Sequence, residues 1–522
     1  MGPGCGQQAV QGGMRPLGRG AGPYRWACST AELARAAGLD PINIVRFDGN
    51  VPGQPPSTAR PGAIAGALAE VDMYSHGGYP ALVAAIAKYA GVENENVVLG
   101  AGSDSLIMLC ARAYAGPSDR VAIVDEPTYP LYRLAAAAAG AAVGDSEAVL
   151  TYQCRPNNPT GALDAISSAR PLVVDEAYYE YCGETAAGLI ADGVIVLRTF
   201  SKAFGLAGAR VGYALAEPET AEELRRRQEP LPISTLSAAL VLAALADPPD
   251  VEPQLAEVER CARAIRSLGL EPLPSAANFL FVPCGNADTL YRALLRDGVV
   301  VRAFAGGFRF SVRDAEDDDL LLEALARALD AEERAPSRPR RRVRHLRATG
   351  ETRVRVRLSL DGESRVRVAT GSGIYDHFLE QLAFHGGLDL VLEAVGDLET
   401  GPHHTAEDAA LTLGEALDQA LGDRSGIARY GDAVVVMDDA LAKAAVDLGG
   451  RPWCEARLAR DPGLAGHVLA SLAQAGRLGL HIEASGADDH HIAEAAFKAV
   501  GRALRGAARL DTAGLPSTKG RI

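Results

Sequence analysis

No apolar run in these 522 residues is long enough to span a bilayer, and the N-terminus has no apolar stretch like that of a secretory leader. A membrane partner and export are therefore not expected. Cysteine is scattered: the eight residues fall at 5, 28, 110, 154, 182, 261, 284 and 454, with no Cys-x-x-Cys pair. That excludes thiolate zinc modules and a regular disulfide framework, and reduced thiols in a cytoplasmic protein are the expectation. Excess positive charge is missing too. A net charge of -14 argues against nucleic acid as the main partner. What remains, 48% hydrophobic, is a globular chain too long for one core, so two or more domains are expected.

Histidine is also uncommon, with ten residues, yet eight of them lie between His377 and His491. Four form two adjacent pairs, each opening the phrase His-His-x-x-Glu: His403, His404 and Glu407, then His490, His491 and Glu494. Imidazole and carboxylate are ligands for first-row transition metals, and a Glu one turn beyond a His shares its helix face. The segment from His377 to Leu390 resembles the segment from His467 to His481, and each precedes its own histidine pair by about the same distance. The C-terminal third therefore reads as an internal duplication, with His377 and His467 as matched third histidines. Six histidines and two glutamates suffice for two metals with positions open for water or substrate. Which four serve each metal stays open. The alternative is a helix with surface histidines.

Residues 1 to about 22, rich in Gly, Arg and Gln, read as a disordered extension. Residues 23–330 alternate short branched runs such as Val121–Val124, Pro171–Val174 and Gly193–Leu197 with alanine-rich helical stretches, which indicates an α/β domain with buried parallel strands. The proline- and arginine-rich residues 331–345 read as a solvated linker. From 346 to 522 the texture changes. Strict alternation over Arg353–Leu360, a turn at Asp361-Gly362 and a return over Ser364–Val368 predict an antiparallel hairpin. With the duplication this makes an α+β domain of two strand-and-helix halves.

In the first domain, Ser201-Lys202 follows a strand ending near Leu197, which places the lysine where open α/β sheets put their ligands, and a lysine there can condense with an aldehyde cofactor. Three further pieces surround it in chain order: Pro156-Asn-Asn-Pro-Thr-Gly161, Asp175-Glu-Ala-Tyr178 and Arg210. Together they closely resemble fold-type I aminotransferases that use pyridoxal phosphate, over roughly residues 30 to 330. The subfamily matched best is histidinol-phosphate aminotransferase, through Cys154–Gly161 and Thr199–Arg210.

That resemblance implies that Lys202 carries the cofactor and moves the proton, and that Asp175 pairs with the pyridinium nitrogen. Asn158 and Tyr178 would bind the ring oxygen, and Tyr129 would stack on the ring. Ser103, Asp104, Ser201 and Arg210 match the phosphate cup, Tyr74 matches a tyrosine reaching in from a neighbouring subunit, and Arg309 matches the arginine that takes the substrate's anionic group. Two departures are Arg313, where the family has Gly, and Asn50-Val-Pro52, a loose form of an Asn-Glu-x-Pro phrase.

The last domain resembles imidazoleglycerol-phosphate dehydratase almost throughout, through Gly350-Glu-Thr352, Thr370–His377, Gly401–Asp408, Asp489–Glu494, Phe497-Lys498 and Pro516–Gly520. The resemblance implies two manganese ions held by His377, His403, His404, Glu407, His467, His490, His491 and Glu494. It makes Glu351 and His385 substrate contacts, Glu351 a candidate for proton transfer, and Arg429, Arg451, Ser517 and Lys519 the substrate-phosphate pocket. The expected whole is a bifunctional enzyme of histidine biosynthesis, in which dehydration makes the ketone that the aminotransferase consumes with glutamate. Homo-oligomers are expected, as aminotransferase dimers and a larger dehydratase-type assembly. The alternatives are a different fold-type I partner, such as an aromatic aminotransferase or a phosphothreonine decarboxylase, or one half kept as a scaffold.

Overall fold

The structure is a computed structural model that describes residues 27–52, 65–69, 71–75, 77–331, 341–362, 364–460 and 464–511. The expected N-terminal extension, most of the expected linker, and Ser517 and Lys519 lie outside the described residues. The chain divides into two compact units, residues 1–337 and 338–522. No helix among the described residues is long and apolar enough to cross a membrane.

The first unit is organised by a seven-stranded sheet. Its strands are β1 (Val97–Gly100), β2 (Arg120–Ile123), β3 (Ala142–Val143), β4 (Ala148–Cys154), β5 (Leu172–Asp175), β6 (Val194–Thr199) and β7 (Gly212–Leu215), in the order β1-β7-β6-β5-β4-β2-β3. Only β7 runs against its neighbours. β5 and β6 are buried at every residue, which is why they read as unbroken apolar runs rather than alternating ones. Helix α1 (Gly102–Tyr114) follows β1, and α2 (Leu131–Ala139) follows β2. The register sets Cys154 beside Asp175 and Asp175 beside Leu197, so the carboxyl ends of β4, β5 and β6 are level. The loops leaving those ends carry Asn158, Tyr178 and Lys202 to one edge of the sheet. A smaller antiparallel sheet of β8 (Phe279–Pro283), β9 (Arg302–Phe304) and β10 (Gly307–Ser311), in the order β9-β10-β8, packs with α3 (Ala315–Ala328) around a second core. β10 carries Arg309.

The second unit is two copies of one pattern. The first copy contains β11 (Arg342–Ala348), β12 (Thr352–Ser359), β13 (Val366–Ala369), α4 (Gly373–Gly386), β14 (Asp389–Gly396) and α5 (His403–Leu421). The second contains β15 (Tyr430–Met437), β16 (Ala440–Asp447), β17 (Trp453–Leu458), α6 (Ala465–Ala475), β18 (Gly479–Ser485) and α7 (Asp489–Ala508). The sheets run β11-β12-β14-β13 and β15-β16-β18-β17, each with its short strand parallel to its neighbour. The apolar faces of both sheets and all four helices share one core. The duplication read from the histidines is a duplication of the whole fold.

Two expectations need correction. Residues 353–360 and 364–368 do not pair as a hairpin, because β14 lies between β12 and β13. Gly362 crosses the end of β14 so closely that a Cβ there would run into the Asp389 backbone, while Asp389 Oδ1 accepts from Arg365 N at 2.9 Å. The return strand thus crosses to the far side of β14. The stretch expected to be linker also ends early. Residues 342–345 belong to β11, where His345 Nε2 lies 2.7 Å from Glu415. The dense arginines read as solvated tether, but a strand partnered on one edge by β12 uses the same residues.

Candidate active sites

In the first unit, Asp175 ends β5 with its carboxylate buried. Tyr132 Oη on α2 donates to Oδ2 at 2.8 Å, and Ala177 N donates to Oδ1 at 3.2 Å. Burial pushes its carboxyl up to about 6, against the pull of those hydrogen bonds. A buried acid so placed is short of a cation. Lys202 is close enough for its charge to act on that carboxylate. Burial, with Arg309 adding to it, brings its amine down to about 8, and Nζ donates to Gly49 O at 3.1 Å. That lowering enlarges the neutral fraction of the amine near physiological pH, and the neutral form is the one that condenses with an aldehyde.

Around this pair, Arg309 donates through Nη1 to Asn158 Oδ1 and through Nη2 to Asp48 O at 2.7 Å, while its buried Nε has no acceptor among the described residues. Tyr178 Oη accepts from Asn50 Nδ2 at 2.9 Å. Tyr129 Oη donates to Asp104 Oδ1 at 3.0 Å, and Arg210 Nη2 reaches Oδ2 of the same carboxylate at 3.0 Å. Asp104 sits in the first turn of α1, whose N-cap Ala101 offers no side-chain cap. The bare N–H groups of that turn, together with Ser201 and Arg210, make an anion cradle. Gly212 lies against the Ser103 amide, 2.7 Å from where a Cβ would stand, and a side chain there would fill the cradle's floor.

These residues fit pyridoxal phosphate: an electron-poor end for Asp175, an amine for the aldehyde and an anion cradle for the phosphate. Tyr74 stands apart, 79% exposed. Arg313 is held by Asp317 Oδ2 at 2.7 Å and by Arg46 O at 3.0 Å, so the departure from Gly is absorbed at the end of β10. Sequence reasoning missed Tyr132, and Asn50 was read only as a departure. Asn50 is buried at a φ of 51°, where asparagine is tolerated; its sequence-level signal was its place in the loose Asn-Glu-x-Pro phrase.

In the second unit the helices sort the histidines. His377 on α4 lies with His490 and Glu494 on α7, and His467 on α6 lies with His403 and Glu407 on α5; within each set the ligand atoms are all within 4.8 Å. His377 Nε2 and His490 Nε2 each stand 3.5 Å from a Glu494 oxygen. His403 Nε2 and His467 Nε2 stand 3.6 and 3.5 Å from Glu407 oxygens. Each set therefore takes its lone histidine from one copy and its His/Glu pair from the other. Two imidazoles and a carboxylate suit a divalent metal with open positions.

Within each phrase the glutamate meets the first histidine, four residues before it, while the second turns away. His404 Nδ1 lies 3.0 Å from Asp397 and 3.6 Å from Glu351, and His491 Nδ1 lies 2.6 Å from Asp439. These hydrogen bonds raise both imidazoles, Asp397 acting first on His404 and Asp439 first on His491. Glu494 is the more buried glutamate. Burial, the largest influence, raises its carboxyl, but Lys498, whose Nζ donates at 2.8 Å, and His377 together hold it below the usual range. His385 lies on α4, lowered by burial and then by Lys498. Arg429 pairs with Asp447 through Nε at 2.8 Å and Nη2 at 3.2 Å, and Arg451 is exposed two residues beyond Gly449. Asp397 and Asp439 were missed from sequence, since a lone Asp in a turn carries no signal.

The model of the family described as imidazoleglycerol-phosphate dehydratase matches residues 370–504, and that of class I and II aminotransferases matches residues 42–169 and 146–325. The chain is 49% identical over 190 residues to imidazoleglycerol-phosphate dehydratase from Methanothermobacter thermautotrophicus, a match covering 98% of that protein and 35% of this chain. The chain belongs to both families. The dehydratase unit is also 48% identical to the Salinispora arenicola dehydratase over 201 residues, covering 99% of it and 35% of this chain. The aminotransferase unit resembles the crystal structure of histidinol-phosphate aminotransferase from Sinorhizobium meliloti in complex with pyridoxal-5'-phosphate. That likeness has a TM-score of 0.53 and 28% identity over 59% of this chain and 96% of that one.

Proposed function

We propose that the chain performs two consecutive steps of histidine biosynthesis in the cytoplasm. The dehydratase unit, with manganese, converts imidazoleglycerol phosphate to imidazole acetol phosphate; the aminotransferase unit then converts this ketone to L-histidinol phosphate, with glutamate as amino donor. The observation that carries the reading is the coexistence of a buried Asp175 beside a pKa-lowered Lys202 in one unit with two His/His/Glu sets in the other. The product of one chemistry is the kind of ketone the other consumes.

In the aminotransferase unit, bound pyridoxal phosphate supplies the electron sink. Asp175 keeps the ring nitrogen protonated, Asn158 and Tyr178 hold the ring oxygen, and Tyr129 stacks on the ring. Ser103, Asp104, Ser201 and Arg210 seat the phosphate, with Tyr74 reaching a neighbouring subunit's site. Lys202 Nζ carries the cofactor and, when free, takes and returns the substrate's carbon-bound proton. Arg309 holds the substrate's anionic group.

In the dehydratase unit, His377, His490 and Glu494 in one set and His403, Glu407 and His467 in the other would hold the metals, which would supply Lewis acidity towards the substrate's imidazole. His404 and His491 face away from the two sets and would complete the sets of neighbouring copies, which makes assembly part of the site. Glu351, beside His404, moves a proton, His385 contacts substrate, and Arg429, Arg451, Ser517 and Lys519 hold its phosphate.

The test is mass spectrometry of one reaction: full-length protein with manganese, pyridoxal phosphate, imidazoleglycerol phosphate and glutamate. Histidinol phosphate is the expected product. Imidazole acetol phosphate accumulating alone would assign the aminotransferase unit another substrate, and no conversion would overturn the proposal.

A further inference from the structure

Tyr129, just before α2, and Tyr132, in its first turn, each hold one acid of the aminotransferase site. Tyr129 Oη donates to Asp104 Oδ1, and Tyr132 Oη donates to Asp175 Oδ2 at 2.8 Å. Tyr132 is fully buried. Its ring is stacked on Tyr152, 5.0 Å between centroids and 10° between planes, and stands edge-on to Tyr129 at 5.8 Å. Tyr152 is fixed in turn by its own Oη, which donates to Ile107 O on α1 at 2.7 Å. An aromatic side chain packed on two sides keeps its hydroxyl aimed one way, and here it is aimed at Asp175.

The carboxylate of Asp175 takes its other hydrogen bond from Ala177 N on Oδ1. Burial is the largest influence on this acid and pushes it up. The Tyr132 hydroxyl is the strongest pull the other way, ahead of Ala177 and of the Lys202 charge. Two more titratable groups face it: Asp104 on α1, which reinforces burial, and Cys154, its register partner on β4, whose thiol burial pushes up to about 12. Burial, and then the Asp175 charge, push the Tyr132 phenol well above its ordinary range, so it remains a donor throughout neutral pH.

We propose that Tyr132 is a positioning residue of the aminotransferase unit: its hydroxyl favours the ionised Asp175 carboxylate, so that the proton Asp175 shares with the cofactor's ring nitrogen stays on the ring. The inference rests on the reading of this unit as pyridoxal-phosphate dependent. A carboxylate that accepts a hydrogen bond is a weaker base, and a weaker base leaves the proton on its partner. A charged ring nitrogen disfavours a second positive charge where Lys202 joins the cofactor. Without the hydroxyl, the ring's proton moves towards Asp175, and the Lys202 nitrogen keeps its own proton to higher pH.

Visible absorbance of the bound cofactor, titrated from acid to alkaline pH in the full-length protein, reports that nitrogen. Tyr132→Phe should raise the midpoint by about half a pH unit or more. It should also lower kcat about 10-fold with KM little changed. A ring-fluorinated tyrosine at position 132, a stronger donor of nearly the same shape, should lower the midpoint. In an Asp175→Asn background, Tyr132→Phe should cause no further shift, because no carboxylate remains to be stabilised. The inference alone is overturned if the unsubstituted protein binds the cofactor and neither change at position 132 moves the midpoint, or if the Tyr132→Phe shift persists beside Asp175→Asn. An unsubstituted protein that takes up no cofactor overturns it together with the reading on which it rests.

Discussion

Asp175 and Lys202 illustrate how burial tunes single groups in opposite directions for one purpose. Desolvation disfavours the charged form of both, raising the acid to about 6 and lowering the amine to about 8, and a cationic ring with an aldehyde answers both. Because only the neutral amine attacks an aldehyde, the rate of pyridoxal phosphate uptake by the cofactor-free protein is expected to rise with pH with a midpoint at about 8. Stopped-flow absorbance between acid and alkaline pH measures it; a midpoint near the ordinary lysine value would contradict the burial seen here. Asp439 fixes the ring orientation of His491 at 2.6 Å. Asp439→Asn should weaken manganese binding by about 10- to 100-fold, as loss of such outer partners does elsewhere, read by calorimetric titration. Lys202, Asp175 and the histidines were legible because their chemistry is rare and their spacing local. Tyr132, Asp397 and Asp439 were not, since each reaches its partner only through folding.

Among the elements, the pairing of α4 with α7 and of α5 with α6 decides which histidines meet. Each pair is drawn together at a glycine. A Cβ on Gly414 would stand 2.6 Å from Leu472 O, and one on Gly501 would strike Leu382 O on α4. The two glycines occupy matching places, each eleven residues after the first histidine of its pair. Gly501→Ala should force α7 from α4 and cost about 1–3 kcal/mol of stability, the usual penalty of overpacking. Manganese binding at the His377/His490/Glu494 set should weaken with it, and calorimetry alongside thermal denaturation checks both. The helix face shared by the histidine and glutamate of each phrase was legible from their spacing. The false hairpin was not avoidable by the same means, because alternation marks a strand but not its neighbour, and β14 arrives from beyond α4 to sit between the two.

For the molecule as a whole, the two units place their chemistry on separate folds with separate cores. Chelation is expected to abolish dehydration and leave transamination intact, while Lys202→Ala should do the reverse; coupled assays on one preparation decide it. Loss of both activities in either case would mean that the units depend on one another. The sequence alone determined the two families and the duplication and named the candidate site residues, since these rest on side-chain identity and on spacing within a helical turn or strand. Only the tertiary structure decided that each set mixes the copies, that the second histidine of each pair turns to an aspartate outside its set, and that the Asp175 carboxylate is buried. Helix packing, strand order and burial join residues far apart in the chain, and no local spacing records them.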